Sequence, residues 1–171
     1  MQKIELHEER FCMRCGGDLV DRFLDNRTRK VCSRCGWICY KSPTLAAATI
    51  ILLDGKLVMV KRGVDPHKGK WCLPSGFEEY EESPLETAVR ETKEETNLDV
   101  RIVKLHKVIF TTHFPQQHLV VCFFLCEPVG GELRAGDDAQ DARIFPLDDL
   151  PEDLAFSTHR EVINDLLEGR I

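Results

Sequence analysis

The stretch from Gly76 to Leu98 constrains the fold most strongly, because it joins an explicit helix start to a high density of acids. Ser83 has the chemistry of a helix N-cap, Pro84 suits the first helical position, and Glu86 can return a hydrogen bond to the cap. The pattern therefore predicts a helix that begins at Pro84, after a loop rich in glycine and acid.

The sequence spacing of apolar and acidic residues distinguishes two faces of this helix. One face is expected to pack against the core, through Leu85, Ala88, Val89 and Thr92. Glu91, Glu94 and Glu95 lie on a neighbouring face, where each like-charge pair costs about 0.2–0.5 kcal/mol. Spacing alone leaves two interpretations open: a solvated acidic surface, or hard oxygen ligands for Mg²⁺ or Mn²⁺.

The same stretch resembles the Nudix box, G-x5-E-x7-R-E-U-x-E-E-x-G-U, in which U is a bulky aliphatic residue. The matching positions are Gly76, Glu82, Arg90, Glu91, Glu94, Glu95 and Leu98. Two positions depart from the pattern, since Asn97 replaces the second glycine and Thr92 occupies the first U position. Asn tolerates the left-handed conformation that ends many helices, so we expect the turn to form.

The resemblance implies a catalytic site for Mg²⁺ or Mn²⁺. Glu91 and Glu95 would be the principal ligands, and Glu94 would assist directly or through water. A backbone carbonyl at Ser75 or Gly76 would complete the set of metal ligands.

Further roles also follow from the resemblance. Arg90 and Glu82 would orient the ligands, because an Arg fork clamps a carboxylate in one geometry. The general base comes either from the box or from a later loop. Residues 137–143 resemble the loop D-E-I-x-x-A-R of many family members, with Asp138 where those carry Glu. Asp is one methylene shorter, and a polar loop before a strand is the alternative interpretation.

Four cysteines form a second motif near the start of the chain. Cys12 and Cys15 make one C-x-x-C-G unit, and Cys32 and Cys35 make another after sixteen intervening residues. Four thiolates at this spacing can close a tetrahedral Zn²⁺ site; a disulfide pair is the less favoured alternative. Because a segment of this size buries too small a core alone, we expect the zinc to be structural.

Composition and charge favour one main domain with a small appendage: residues 1–42 as a zinc ribbon and 43–171 as the hydrolase domain. The 171-residue chain carries a net charge of −6, of which residues 1–42 contribute +3 and the remainder −9. That acidity makes the larger domain a poor general binder of phosphate backbones unless metal is present. Neither a long apolar run nor a signal peptide is evident, which predicts a cytoplasmic protein without a membrane partner.

Apolar runs and turn signals indicate strands on both sides of the acidic helix. Strands are predicted at Thr44–Leu53, Lys56–Lys61, Val100–Phe110, His118–Glu127 and Ala142–Phe145, with a hairpin turn at Asp54–Gly55 and another turn at Gly130–Gly131. A last helix is expected from Ser157 or Thr158, with Thr158 and Glu161 as a capping box. This order predicts an α/β fold with a mixed sheet, and it matches the Nudix α/β/α sandwich.

The resemblance extends along the whole chain to Nudix proteins with a zinc ribbon, including FAD and ADP-ribose pyrophosphatases. It implies hydrolysis of a nucleotide diphosphate that contains AMP, by a homodimer. NADH pyrophosphatases and NAD-cap hydrolases are the alternative, although the S-Q-P-W-P-F-P-x-S motif of the NADH pyrophosphatases is missing from residues 111–117. A third interpretation is a non-catalytic RNA or nucleotide binder, which we consider less favoured than the enzyme.

Overall fold

The computed structural model describes residues 9–112, 118–136 and 138–171. It divides into two compact units, Met1–Pro43 and Thr44–Ile171, one residue beyond the boundary expected from the sequence. In the first unit a three-stranded antiparallel sheet has the order β1-β2-β3. Its strands are β1 Leu19–Leu24, β2 Arg27–Cys32 and β3 Ile38–Cys39.

The second unit is a seven-stranded sheet with a helix on each face. Its elements are β4 Thr44–Leu53, β5 Lys56–Arg62, β6 Trp71–Cys72, β7 Ser75–Phe77, α1 Pro84–Thr96, β8 Leu98–Thr112, β9 His118–Gly131, β10 Ala139–Phe145 and α2 Ser157–Leu167. The main path runs β10-β5-β4-β9-β8, with β6 beside β5 and β7 beside β4. Because β4 and β9 pair in parallel and the other pairs are antiparallel, the predicted mixed sheet is confirmed.

The central strand β4 explains why the fold has two cores. Its residues alternate between the faces, and Ala48 and Ile50 pack on the side of α2 while Ala47 and Ile51 pack on the side of α1. A strand buried on both faces must be apolar throughout, which is why residues 44–53 read as one continuous apolar run. The predicted α/β/α sandwich is therefore confirmed.

Helix α1 begins and ends as its capping residues dictate. Ser83 and Glu86 form the complete capping box, and Asn97 closes the helix in the left-handed conformation with φ 60°. The predicted packing stripe is wrong in part, because Leu85 and Val89 are exposed. The buried side is rotated towards Thr87, Ala88, Thr92, Glu95 and Thr96.

Two further sequence predictions are corrected by the structure. Gly130 and Gly131 do not form a turn; β9 runs through both and pairs with the start of β8. A side chain at Gly131 would overlap the carbonyl oxygen of Asn97, so glycine serves close backbone approach here. The capping box at Thr158 is also wrong, since α2 starts at Ser157 after Phe156 and has no side-chain cap.

Candidate active site and zinc site

Arg90, on α1, links three glutamates and the loop before the helix. Its Nε and Nη2 donate to both carboxylate oxygens of Glu82, at 2.5 and 2.9 Å. Its Nη1 donates to Glu91 at 2.7 Å and to Glu94 at 2.9 Å. Nη2 also reaches the carbonyl of Phe77 at 3.0 Å, so one guanidinium fixes the helix against β7.

Glu82 is the anchor of this arrangement. Besides Arg90, it accepts from the Thr87 hydroxyl at 2.9 Å and from the Glu79 amide at 3.4 Å. The hydrogen bond from Arg90 is the main reason that the pKa of Glu82 falls to about 2. Glu82 therefore stays ionised at any physiological pH and holds Arg90 in one orientation.

Glu95 is buried, and its pKa is shifted upward, in the direction opposite to that of Glu82. Only 5% of its surface is exposed, and its Oε2 accepts from the Ser75 amide at 2.8 Å. Burial raises the pKa of Glu95 to about 8, and the charges of Asp138 and Glu91 add to that shift. A carboxyl buried beside other acids is one that a cation would neutralise.

Glu91 lies directly over the backbone of β7. A Cβ built on Gly76 would overlap the Glu91 carboxylate, so only glycine leaves room for this contact. Burial raises the pKa of Glu91, and the hydrogen bond from Arg90 opposes that effect. The contact with Glu91 thus explains, on steric grounds, why the first position of the box is glycine.

Asp138 lies in the loop before β10. Its carbonyl accepts from the Gly63 amide at 2.7 Å, which fixes the backbone, while the residue itself is exposed. Its charge contributes to the raised pKa of both Glu91 and Glu95, after burial as the main cause. The loop is therefore close enough to act on the same site electrostatically.

The donor set suits a hard divalent ion more than any other metal. Glu91 and Glu95 offer carboxylate oxygens, and the β7 backbone at Ser75 and Gly76 lies against both side chains. The three glutamates do not meet at one point, however, because Arg90 holds Glu91 and Glu94 while Glu95 turns towards β7. Their assignment as ligands remains a prediction.

A pocket of about 240 Å³ opens beside these carboxylates. Its lining is Ala46, Arg62, Pro66, Ser75, Gly76, Phe77, Thr111, Leu119, Val121, Phe156, Thr158 and His159. Ser75 and Gly76 belong both to the pocket and to the carboxylate cluster, so the two features share one edge. The lining is largely apolar with a few polar groups, as in sites that bind small organic ligands.

Sequence reasoning missed Arg62 and His159. Arg62 ends β5, donates from Nε to the Pro66 carbonyl at 2.8 Å and places its guanidinium 5.1 Å from the Phe156 ring centre. His159 accepts through Nδ1 from the Leu73 amide at 3.1 Å. Both come from segments far from the box, and no local motif marks either residue.

Three aromatic side chains that could stack on a nucleobase lie in different surroundings. Trp71 is buried and packs edge-on against Phe145, so its role is structural. Tyr80 is almost fully exposed, and Phe110 stacks on His118 at 5.4 Å. Residues 113–117 lie outside the described parts of the chain.

Four cysteine sulfurs come together in the N-terminal unit. Cys12, Cys15, Cys32 and Cys35 have all their Sγ atoms within 4.8 Å of one another. Among residues 9–112, 118–136 and 138–171, theirs is the one such group of potential ligands. The pairs Cys12–Cys35 and Cys15–Cys32 are 3.8 and 3.5 Å apart. Zn–S bonds of about 2.3 Å in a tetrahedron require similar sulfur separations, so the thiols fit Zn²⁺.

A backbone amide favours the ionised form of one of these thiols. Donation from the Cys35 amide, at 3.4 Å, lowers the pKa of the Cys32 thiol to about 6. Gly16 and Gly36 take φ of 70° and 73°, which completes the two turns. A Zn²⁺ ion held by these thiols would have four protein ligands and no open position, as in a structural zinc site.

Family comparisons match both units. The family described as "NUDIX domain" matches residues 43–166, and the one described as "Nudix N-terminal", a zinc ribbon, matches residues 10–41. A crystal structure of a NUDIX hydrolase from Nitrosomonas europaea is 30% identical, with a TM-score of 0.84, and the alignment covers 95% of this chain and 92% of that one.

Two kinds of curated relative are similar to this chain. An ADP-ribose pyrophosphatase from Methanocaldococcus jannaschii is 40% identical over 132 residues, which is 77% of either chain. An NAD-capped RNA hydrolase NudC from Pseudomonas aeruginosa is 31% identical over 144 residues, which is 83% of this chain but 49% of the relative. The chain therefore spans about half the length of that second relative. Within the described residues, no helix has the length and apolar character needed to cross a membrane.

Proposed function

Because the chain belongs to the Nudix hydrolase family, we propose that it hydrolyses the diphosphate of an AMP-containing nucleotide such as ADP-ribose, releasing AMP and a second phosphate. The observation that carries this proposal is the shared edge at Ser75 and Gly76. On one side of that edge lie Glu91 and Glu95, and on the other side lies the pocket.

Glu91 and Glu95 would hold the divalent ions, with Glu94 in support. When bound, Mg²⁺ or Mn²⁺ supplies a Lewis acid for the diphosphate and lowers the pKa of an attacking water. Binding would favour the ionised form of Glu95, whose pKa is otherwise raised to about 8 by burial. The need for a cation explains why acids are gathered at a position where their charges repel.

Arg90 and Glu82 would act by positioning. The Arg90 fork fixes the Glu91 carboxylate, and the ionised Glu82 fixes Arg90. Asp138 is our candidate for the group that takes the proton from water, because its loop lies near both ligand carboxylates and the residue is exposed. Arg62 places a positive charge at the pocket, where a substrate phosphate would enter.

The pocket favours a small ring system as its occupant. A cavity of about 150 Å³ in another protein accommodates benzene, so the 240 Å³ here has room for a nucleobase or a ribose. ADP-ribose is better supported than FAD as the substrate, because a relative that is 40% identical is an ADP-ribose pyrophosphatase.

A second candidate substrate is a nicotinamide dinucleotide, free or at the end of an RNA. The similarity to NAD-capped RNA hydrolases over 83% of this chain supports it. This candidate shares the AMP half and the same chemistry, and it differs in the group beyond the second phosphate. A homodimer and a cytoplasmic location remain predictions from the sequence.

The test is a substrate panel with products resolved by mass. Purified protein with Mg²⁺ or Mn²⁺ is incubated with ADP-ribose, NADH and FAD, and Glu95→Gln is the matched control. We expect AMP and ribose 5-phosphate from ADP-ribose at the highest kcat/KM, and loss of product in the variant. Wild-type turnover by Glu95→Gln with saturating metal, or no turnover of any diphosphate, would refute the proposal.

A further inference from the structure

One face of the N-terminal sheet carries a group of arginines that the hydrolase chemistry does not use. Arg22 on β1 lies directly opposite Arg29 on β2, and Arg27 lies two residues from Arg29 on the same face. Tyr40 follows β3 beside Arg29, whose guanidinium lies 4.8 Å from the Tyr40 ring centre. We call Arg22, Arg27, Arg29 and Tyr40 the arginine face.

The arrangement is electrostatically unfavourable as it stands. Like charges directly opposite in an antiparallel pair destabilise a sheet. Within the described residues, Arg22 and Arg27 form no ion pair, and the one acid near Arg29 is Asp25, at 4.0 Å and 76% exposed. The Nε of Arg29 is buried, and no hydrogen-bond partner for it is found in the described parts of the chain. Three cations are thus left with little compensation.

On the opposite face of the same hairpin, a positive charge is paired with a negative one. There Asp21 on β1 lies opposite Lys30 on β2, and their charged groups are 3.0 Å apart. Two adjacent rows of one hairpin therefore differ: the Asp21–Lys30 row is paired, and the Arg22–Arg29 row is not. The contrast indicates that the excess charge belongs to one face.

We infer that the arginine face binds single-stranded RNA. Guanidinium groups pair with phosphates, as Lys side chains do. Unlike Lys, they also stack on bases. Tyr40 is 60% exposed in the same row and offers a ring on which a base can stack. A basic row next to an exposed aromatic is the pattern of sequence-independent single-strand binding.

The negative charge that disfavours binding of nucleic acid lies in the other unit. Residues 43–171 carry the acidic excess of −9, whereas residues 1–42 carry +3. With Zn²⁺ on four thiolates the ribbon's total charge becomes smaller still, so the inference depends on the local row and not on overall basicity. Moderate affinity and strong salt dependence follow.

Fluorescence anisotropy with a labelled single-stranded RNA of about 16 nucleotides tests the inference on the full, zinc-loaded chain. Arg22→Gln should reduce the slope of log affinity against log salt by about 0.7–1. Tyr40→Ala should weaken binding at least about 5-fold with the slope unchanged. Lys30→Gln, which removes the same charge from the opposite face, should change neither.

Controls separate binding from folding and from catalysis. Zinc content and circular dichroism show whether each variant is folded, and Arg22→Lys should recover the salt slope. ADP-ribose turnover should be the same in Arg22→Gln as in wild type, because this residue is not part of the hydrolase site.

Three results would overturn the inference. The first is no RNA binding by wild type at about 50 mM salt. The second is an equal effect of Lys30→Gln and Arg22→Gln. The third is binding of phosphatidylserine vesicles, sensitive to Arg22→Gln, without RNA binding; it would assign the face to a lipid surface instead.

Discussion

Replacing Gly76 by Ala should disable the site without unfolding the protein. The added methyl carbon would lie 2.0 Å from the Cδ and Oε1 atoms of Glu91, whereas ordinary contact begins at 3.4 Å. The carboxylate would therefore have to retreat by roughly 1.4 Å. A misplacement of about 1 Å in a catalytic constellation costs about 100-fold in rate, or about 2.7 kcal/mol in the barrier.

The assay compares kcat for ADP-ribose at saturating Mg²⁺ with Tm for the same samples. We expect kcat to fall at least about 100-fold while Tm changes little, because the Glu91 side chain can move away from the methyl group. Gly130→Ala is the matched control: its new Cβ would lie 3.3 Å from an exposed Asp99 carboxylate, and kcat should be retained.

A double-mutant cycle tests the contact between Gly76 and Glu91 directly. Glu91→Asp shortens the side chain by one methylene, so Gly76→Ala should cost less in that background than in wild type. A folded Gly76→Ala variant with wild-type kcat would refute the claim that Glu91 must occupy the space above this glycine.

Three further outcomes follow. Arg90→Lys keeps the charge but loses the fork, so kcat should fall about 10–100-fold and the pKa of Glu82, followed by NMR, should rise; unchanged kcat would contradict the positioning role. Asp165→Asn should lower Tm, because buried Asp165 accepts from Lys107 at 2.6 Å. That hydrogen bond lowers the pKa of Asp165, so its stabilisation is present above the unfolded pKa of about 3.9 and is lost as the pH falls further; a Tm difference that stayed constant down to low pH would oppose this assignment. Removal of Zn²⁺ by a chelator should abolish the NMR dispersion of residues 9–43 and leave the core signals of residues 44–171, and persistence of both sets would show that metal is not needed for the first unit.

Local chemistry was sufficient to predict α1. Ser83, Pro84 and Glu86 start the helix, and Asn97 ends it, through contacts within a few residues in the chain. The hairpin turn at Asp54–Gly55 was equally local, and both residues have positive φ. Such features follow from sequence because no distant segment decides them.

Features set by distant contacts could not be predicted. Glu95 lies on the buried side of α1 because the helix packs over β4, where Thr49 and Thr92 form a hydrogen bond of 2.8 Å. Gly131 continues a strand because Asn97 lies against it. The pocket needs Arg62 and residues of α2 in one place, which only the folded sheet provides.

The central claim is that Glu91 and Glu95 bind divalent ions beside the pocket. Anomalous scattering from crystals grown with Mn²⁺ and AMP tests it most directly. A manganese peak is expected within ligand distance of both carboxylates and of the backbone at Ser75 or Gly76. Nucleotide bound in the pocket, with manganese absent from those carboxylates, would contradict it.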